Sequence, residues 1–238
     1  MISYKKYDEK NHCEEAWLDS TMIVYTKMVE DEYENKGDLY VVFKNGTMYK
    51  YIGVSLSDYV VFIGGGTDGS QGKTLNKVIK AKYEVEKCEN ANLDELEKRM
   101  KELSEKDREN EARKLKTYFV FGYRDIYNEE FEAYYQPALA ACYEDAYFVV
   151  GDKNGVDFKA QNFLLDVLRV DPERITVYHA GDAPMNKNIR ITNVIGGFET
   201  DEDADKAMTK ASVKDVGFVR DEGETTFVSK NILRRYKF

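Results

Sequence analysis

The chain has 238 residues, of which 42% are hydrophobic, 13% aromatic and 33% charged, and its formal net charge is −9. This apolar share is enough for a packed core, and so many aromatic residues argue against disorder. No stretch approaches the roughly 20 consecutive apolar residues of a membrane span, and the start, MISYKKYDEKNH, lacks the apolar region of a secretory signal. We therefore expect a soluble, cytoplasmic, acidic protein that does not bind membranes.

The sequence contains few of the histidine and cysteine residues that metal sites and thiol catalysis need. Cys13, Cys88 and Cys142 form no CxxC pair, which is typical of reduced thiols in a cytosolic protein. Two histidines, His12 and His179, are too few for a common zinc site. His179 ends an apolar run, ITVYH, so it lies where a strand gives way to a loop and is a candidate ligand contact. We predict neither a metal site nor a cofactor.

Residues 19–88 alternate in the manner of β-strands. Asn45 and Gly46 stand between two runs rich in Val, Phe and Tyr and predict a hairpin, because both tolerate the positive φ of a tight turn. LSDYVVFI, with Ser57 as cap, and TLNKVIKAKY predict helices around a glycine-rich loop. That loop, residues 64–69, matches G-x-G-x-x-G literally, but it follows a hairpin and a short helix where a dinucleotide motif would open a βαβ helix. We expect no nucleotide there.

This segment resembles the KTSC domain, a small module named for the C-terminus of a lysyl-tRNA synthetase. The matching residues are Leu39–Phe43, Asn45-Gly46, Tyr49-Lys50-Tyr51, Val54, Ser70-Gln71-Gly72-Lys73, Leu75-Asn76 and Ile79. The GGGTDG expansion departs from the family pattern. The resemblance implies a nucleic-acid-associated or adaptor domain. Since the chain is acidic and has no basic stripe, we expect a structural or partner-docking module and no polynucleotide partner.

Residues 89–116 form a strongly charged segment, in which 16 of the 23 residues from Asp94 to Lys116 are Asp, Glu, Lys or Arg. Apolar residues recur there at spacings of three and four, which predicts one helix. They are Leu93, Leu96, Met100 and Leu103. A dimerising coiled coil needs a longer repeat than these two heptads. We therefore predict a solvated linker helix that packs along one edge.

Residues 117–238 show apolar runs without alternation, separated by helical patterns. The predicted strands are YFVFG, YFVVG, ITVYH and DVGFVRD, and the predicted helices are EEFEAYYQPALAACYEDA, DFKAQNFLLDVL, DADKAMTKAS and TTFVSKNILRR. Such a pattern is typical of a parallel sheet covered on both faces. The predicted fold class is α/β: a small α+β module at 19–88, a charged linker helix, and a Rossmann-like parallel-sheet domain at 117–238.

Residues suited to binding an anion follow the first two strands of this domain. Residues 122–125 read Gly-Tyr-Arg-Asp, and residues 151–157 read Gly-Asp-Lys-Asn-Gly-Val-Asp. Ligands of parallel sheets lie beyond the carboxyl ends of the strands, where glycine lets backbone amides approach a phosphate and helix N-termini are positive. Arg124 adds a candidate charge-assisted contact. Asp157 fits two roles equally, a helix cap or an acceptor for a ribose hydroxyl.

The segment from Thr117 to Arg235 is similar to the SLOG superfamily, Rossmann-like domains related to the Smf/DprA and LOG proteins. Family motifs G-S-R-D and G-x-x-x-G-x-D correspond to residues 122–125 and 151–157, and two later motifs correspond to residues 204–208 and 228–235. The resemblance implies a nucleotide-derived ligand. The predicted ligand-binding residues are Gly122, Tyr123, Arg124, Asp125, Gly151, Asp152, Gly155, Asp157, Asp182, Asp205, Ser229 and Asn231.

Departures from the family pattern shape the functional expectation. Tyr123 replaces a small residue, Ala204 replaces arginine and Val228 stands at a glycine position. The P-G-G-x-G-T-x-x-E motif of the phosphoribohydrolases is absent from the sequence. We therefore expect binding of an NAD-derived or cyclic nucleotide signal without turnover. The Tyr-, Lys- and Asn-rich, proline-poor composition suits a phage protein, so a sponge for host immune nucleotides is a specific version of this expectation.

Other functional hypotheses remain open at this point. One is an N-glycosidic hydrolase or transferase acting on a nucleotide or nucleoside, with Asp157 or Asp182 as the acid–base residue. Another treats both domains as interaction modules of a larger assembly, and a homodimer is a candidate arrangement. Residues 117–238 carry 15 basic and 21 acidic residues, a net charge of −6. This charge favours a small ligand over a polynucleotide.

Overall fold

The computed structural model describes residues 1–220 and 226–236. It divides into two units, residues 1–107 (unit 1) and 108–238 (unit 2). The last residue of the predicted strand DVGFVRD and the first of the predicted helix TTFVSKNILRR lie outside the described residues. Among the residues that are described, no helix combines the length and the apolar character needed to cross a membrane.

Unit 1 is built on a six-stranded antiparallel sheet whose strands follow one another in chain order. The hairpin predicted at Asn45-Gly46 is confirmed. Gly46 has φ +82°, and the Asn45 side chain accepts a hydrogen bond from the Thr47 amide at 3.1 Å. The strands are β1 (Ile2–Asp8), β2 (Cys13–Leu18), β3 (Ile23–Glu30), β4 (Lys36–Phe43), β5 (Met48–Ser55) and β6 (Val85–Lys87).

Two of these strands, β1 and β2, precede the predicted module that begins at residue 19. The sequence pattern conceals β2, CEEAWL, because two glutamates interrupt its apolar residues. Glu15 is nevertheless only 8% exposed, and its carboxylate is held by partners from elsewhere in unit 1. Strand alternation based on hydrophobicity alone does not detect a strand that buries a paired charge.

One face of the sheet is covered by helix α1 (Leu56–Ile63) and by helix α2 (Gln71–Thr74), which continues as a π-helical turn through Leu75–Ile79. Both helices were predicted, but the cap of α1 was predicted wrongly as Ser57. Ser55 is the cap, since its backbone is extended and its hydroxyl accepts from the Asp58 amide at 3.2 Å. The helix begins one residue after Ser55, so Ser57 already lies inside its first turn.

The opposite face of the sheet is covered by the beginning of helix α3 (Leu93–Lys114). The predicted apolar stripe of this helix, from Leu93 to Leu103, packs against Trp17, Tyr25 and Val42. The Trp17 indole donates to the Leu96 carbonyl at 2.9 Å. The predicted helix is present and packs along its apolar edge, and the residues of its first half belong to unit 1.

Unit 2 contains a five-stranded, wholly parallel sheet in the order β10-β9-β8-β7-β11. The predicted α/β class with a Rossmann-like parallel sheet is confirmed. The edge strand β10 was not predicted, because its sequence, VIGGF, holds two glycines and is largely exposed. The strands are β7 (Thr117–Val120), β8 (Tyr147–Val150), β9 (Ile175–Ala180), β10 (Val194–Phe198) and β11 (Lys214–Val216).

Helices cover both faces of this sheet, and alternate strand residues serve the two faces. Val120 and Val150 point into the core formed with helices α4 to α6, whereas Phe119, Val149 and Tyr178 point into the core formed with α7 and α8. The helical segments are α4 (Asn128–Glu130), which runs through Phe131–Tyr135 into α5 (Gln136–Ala140), α6 (Val156–Asn162) with its extension Phe163–Val167, α7 (Asp201–Ala211) and α8 (Phe227–Arg235).

Candidate functional site

A cavity of about 460 Å³ lies in unit 2 beyond the carboxyl ends of β7, β8 and β9, between the start of α7 and the start of α8. This is the edge at which parallel α/β sheets bind their ligands. Its wall is formed by Phe119, Phe121, Gly122, Tyr123, Arg124, Gly151, Asp152, Lys153, Asp157, Tyr178, His179, Ala180, Asp201, Ala204, Asp205, Met208, Thr226, Phe227, Val228, Lys230 and Asn231.

The inner wall of the cavity is mainly apolar and aromatic. Phe119 and Phe121 come from β7 and the residue after it, with ring centroids 4.8 Å apart, and Tyr178 comes from β9. Met208 and Val228 close this wall from α7 and α8 and are both buried. Apolar walls with a few placed polar groups are typical of small-ligand sites. The arrangement suits a flat, weakly polar ring.

The loop after β7 is braced by the protein itself. The Tyr123 carbonyl accepts from the Val156 amide at the start of α6, at 3.1 Å. The Tyr123 hydroxyl accepts from the Arg220 amide at 3.1 Å, and the Arg220 guanidinium lies 4.5 Å from the centre of the Tyr123 ring. Tyr123 therefore holds Arg220 as well as lining the cavity. Asp125 points away from the cavity and pairs with Arg220 at 3.1 Å.

The loop after β8 carries two acids with different surroundings. Asp152 is 1% exposed, and its carboxylate accepts from the Met185 amide at 2.7 Å, which fastens the segment after β9 to the end of β8. Asp157 is the second residue of α6, whose N-cap is Gly155. One Asp157 oxygen, Oδ2, accepts from the Lys153 amide at 3.1 Å. Asp157 therefore closes its own loop and does not cap the helix.

Burial raises the pKa of two carboxyl groups in the cavity wall, because a charged carboxylate loses its hydration there. The pKa of Asp157 rises to about 7 and that of Asp205 to about 6. Asp205 accepts from the Asn231 amide group at 2.9 Å, and Asn231 in turn accepts from Arg234 at 2.6 Å. Near neutral pH Asp157 is therefore present with and without its proton and can donate or accept a hydrogen bond, whereas Asp205 is mostly a carboxylate, which accepts.

Positive charge enters the cavity from three side chains, two of which are paired with one acid. Arg124 NH2 lies 2.8 Å from Asp201 Oδ2, and Lys153 Nζ lies 2.9 Å from Asp201 Oδ1. Burial by itself lowers the pKa of Lys153, but Asp201 and Asp152 overcome this and raise it above its usual value. Lys230 is exposed and lies over the Phe227 ring, with Nζ 5.3 Å from the ring centre.

Eight of the twelve predicted site residues line the cavity. Four do not: Asp125 pairs with Arg220, Gly155 packs against the first loop, Asp182 is exposed beyond β9, and Ser229 belongs to the capping box of α8. The eight that the structure brings together are Gly122, Tyr123, Arg124, Gly151, Asp152, Asp157, Asp205 and Asn231.

Several lining residues were absent from the predicted site. Phe119, Phe121 and Tyr178 share one face of the sheet, and their spacing at alternate strand positions is a signal that points to them. Asp201 offers no such signal, because an acid in the first turn of a helix is common without any ligand. His179, the candidate ligand contact at the end of β9, lines the cavity and is 5% exposed, with its ring against Gly196 of β10.

The raised pKa of Asp157 predicts a pH-dependent effect of Asp157→Asn. In the folded protein this group keeps its proton up to about pH 7, whereas the usual value is 3.8. The folded state then binds more protons than the unfolded state, so this group makes stability fall as pH rises between those values. We expect Asp157→Asn to match the wild type near pH 4 and to exceed its free energy of unfolding at pH 8.

Urea denaturation of wild type and variant at a series of pH values measures this difference. Taking the difference removes the opposite contribution of carboxylates with a lowered pKa, such as Glu15 and Asp58. Asp182→Asn, an exposed acid outside the cavity, is the matched control and should show no such trend. A difference for Asp157→Asn that stays constant from pH 4 to pH 8 contradicts the prediction.

Comparison with known proteins adds little to this picture. No family model matches the chain, and no curated protein matches it. Among solved structures, the crystal structure of a KTSC domain protein from Yersinia pestis is similar at 22% identity over 32% of this chain and 97% of that chain, with a TM-score of 0.26. We draw no conclusion on function from a TM-score this low. The SLOG resemblance rests on its motifs alone and stays a prediction.

Proposed function

We propose that unit 2 binds a small nucleotide-derived ligand, an NAD-derived or cyclic nucleotide, in the cavity beyond β7, β8 and β9, and does not convert it. The observation that carries this proposal is the cavity itself. Its volume of about 460 Å³ falls within the roughly 300–1,000 Å³ of small-molecule sites. It lies at the carboxyl edge of a parallel sheet, with an aromatic wall at one side and polar groups at the other.

Each part of such a ligand has a complementary part of the wall. A nucleobase fits against Phe119, Phe121 and Tyr178 because flat rings stack and bury well there. Asp157 and Asp205 are suited to hydroxyl and amino groups, since both accept hydrogen bonds and Asp157, near its pKa, also donates one. Phosphate oxygens are suited to the guanidinium and ammonium groups at the mouth of the cavity.

Charge limits the size of this ligand. Among the residues that the structure describes, four acidic side chains line the cavity, those of Asp152, Asp157, Asp201 and Asp205, against the three cationic side chains described above. Such a wall does not attract a polyanion as a basic groove does. A small ligand held by a few groups is therefore favoured. A protein that holds a signalling nucleotide without cleaving it lowers its free concentration, which is how a phage-encoded sponge would blunt host immune signalling.

Co-purification tests this proposal directly. The purified protein is heat-denatured, and the released material is examined by mass spectrometry for nucleotides. In parallel, NAD, ADP-ribose, cyclic mononucleotides and cyclic dinucleotides are tested for a rise in Tm. We expect at least one species to be released or to stabilise the wild type. The proposal fails if nothing is released and no species shifts Tm.

Arg124→Ala supplies the matching variant. Loss of a charge-assisted hydrogen bond to a ligand phosphate should weaken binding by about tenfold or more. Arg190→Ala is the matched control, because Arg190 pairs with Asp166 and does not line the cavity. The same affinity in both variants, measured by calorimetry with the ligand that stabilises the wild type, would count against a phosphate contact at Arg124.

A second function, N-glycosidic hydrolysis, is favoured by one observation. Asp157 combines a pKa of about 7 with a place in an apolar cavity, and these are the properties of a general acid. Asp182, the other acid considered, is exposed and lies outside the cavity wall. Incubation with nucleoside monophosphates and NAD, followed by chromatography for free base, decides between the two functions. Base release that Asp157→Asn abolishes supports hydrolysis, and no release supports binding alone.

A further inference from the structure

The Asp201 carboxylate holds the two cations that project from the first two strand-end loops. Its Oδ2 pairs with Arg124 after β7 at 2.8 Å, and its Oδ1 pairs with Lys153 after β8 at 2.9 Å. The Lys153 side chain is only 17% exposed, so its ammonium is held within the wall. All three residues line the cavity. One carboxylate oxygen for each cation is the arrangement that two oxygens of a bound phosphate would adopt.

Asp201 is weakly tied to the rest of the structure. Its side chain is 38% exposed, and its polar contacts among the described residues are with Arg124 and Lys153. The start of α7 does not depend on it, because Thr200 caps the helix by accepting from the Asp203 amide at 3.1 Å. Arg124 and Asp201 are 65% and 38% exposed, and an ion pair this exposed contributes little stability. A stronger anion can therefore replace this carboxylate at low cost.

We propose that Arg124 and Lys153 form an anion-binding subsite of the cavity, which the Asp201 carboxylate occupies as an internal competitor. A phosphate monoester binds there by displacing Asp201. This inference rests on the proposed function and narrows it to NAD-derived nucleotides that end in a phosphate monoester, because cyclic nucleotides carry only phosphodiesters. A terminal phosphate carries more charge than a carboxylate and presents more oxygens, so it makes the stronger charge-assisted contacts. Asp201 thereby selects for ligands with a phosphate monoester and against those that offer only a carboxylate in its place.

Removing the competitor gives the test. Wild type, Asp201→Asn and the control Glu202→Gln are titrated by calorimetry with the four ribonucleoside 5′-monophosphates and the four matching nucleosides. Glu202 is the next residue of α7; its pair with Lys206 is a loose 3.7 Å, and it does not line the cavity. Both variants therefore lose one negative charge from the same helix turn. Only Asp201→Asn removes the shared partner of Arg124 and Lys153, which leaves Lys153 with Asp152 at 3.3 Å.

We expect Asp201→Asn to bind at least one monophosphate about fivefold more tightly than wild type or Glu202→Gln does. Nucleoside affinity should be the same in all three proteins. Monophosphate affinities that are equal in the two variants, or weaker in Asp201→Asn, overturn the inference while leaving nucleotide binding intact. If no nucleotide or nucleoside binds any of the three proteins, both the inference and the proposed function for these ligands fail.

Discussion

Replacing Gly155 by alanine is expected to lower the free energy of unfolding of unit 2 by about 3 kcal/mol or more. Gly155 has φ +83° and ψ −127°, a conformation that residues with a Cβ atom rarely adopt. A Cβ built there would lie well inside van der Waals contact with the carbonyl oxygens of Tyr123 and Arg124. These are backbone atoms, and the Tyr123 carbonyl is held by the Val156 amide at 3.1 Å, so neither loop can move without losing that bond.

Gly181→Ala is the matched control for this change. Gly181 has a similar φ, +77°, but a Cβ there meets nothing within 4 Å. Gly181→Ala should lower the free energy of unfolding by only about 1 kcal/mol, the cost of a positive φ for a residue with a Cβ atom. Urea denaturation followed by far-UV circular dichroism measures both variants. Equal losses would mean that the close approach of the two strand-end loops is not maintained in solution.

Close contacts within the protein thus require glycine at these positions of the first two loops. A Cβ at Gly122 would collide with the Tyr135 hydroxyl and with Val156, and one at Gly151 would collide with the Asp157 carboxylate. From the sequence we expect these glycines to let backbone amides approach a phosphate. The structure places their missing side chains against protein atoms, so glycine is required there whether or not a phosphate binds.

Arg99→Ala is expected to destabilise unit 1 by about 2–3 kcal/mol. Arg99 donates two hydrogen bonds to the Glu15 carboxylate, at 3.1 and 2.8 Å, and Tyr25 donates to the same carboxylate at 2.5 Å. Burial by itself raises the pKa of Glu15, but Arg99 and Tyr25 outweigh it, so the pKa lies below its usual value of 4.5. Removing Arg99 leaves a buried carboxylate with its Tyr25 partner and too little compensating charge.

Fluorescence of Trp17, the single tryptophan of the chain, is the natural probe for this unfolding transition, because its indole contacts α3 directly. Lys98→Ala is the matched control, since Lys98 is exposed and makes only a loose 3.8 Å pair with Glu102.

The lowered pKa of Glu15 also predicts how the effect of Arg99→Ala depends on pH. The contribution of a group with a lowered pKa is present above pH 4.5 and is lost as pH falls through the folded-state pKa. The cost of Arg99→Ala should therefore shrink in acid. Indistinguishable transitions for the two variants would mean that Arg99 does not stabilise Glu15 in solution.

Local patterns were sufficient for most of the fold. The hairpin at Asn45-Gly46 depends on two residues that tolerate positive φ, and the parallel sheet of unit 2 follows from short apolar runs between helical patterns. Failures occurred where a residue's partner is distant in sequence. Strand β2 can bury Glu15 only because Arg99, 84 positions later in the chain, pairs with its carboxylate. The apolar stripe of α3 was predicted, but not the residues of β2, β3 and β4 that cover it.

The candidate site likewise has features that the sequence predicts and features that it does not. Its position at the strand ends of unit 2, and the residue types in its first two loops, could be predicted from the sequence, because the carboxyl edge of a parallel sheet is fixed by chain direction. The sequence could not predict which of these side chains face the cavity. Asp125 turns to Arg220, Asp152 fastens a later loop, and Asp201 joins Arg124 to Lys153 across 77 and 48 residues of chain. Such pairings depend on three-dimensional distance, which only the tertiary structure decides.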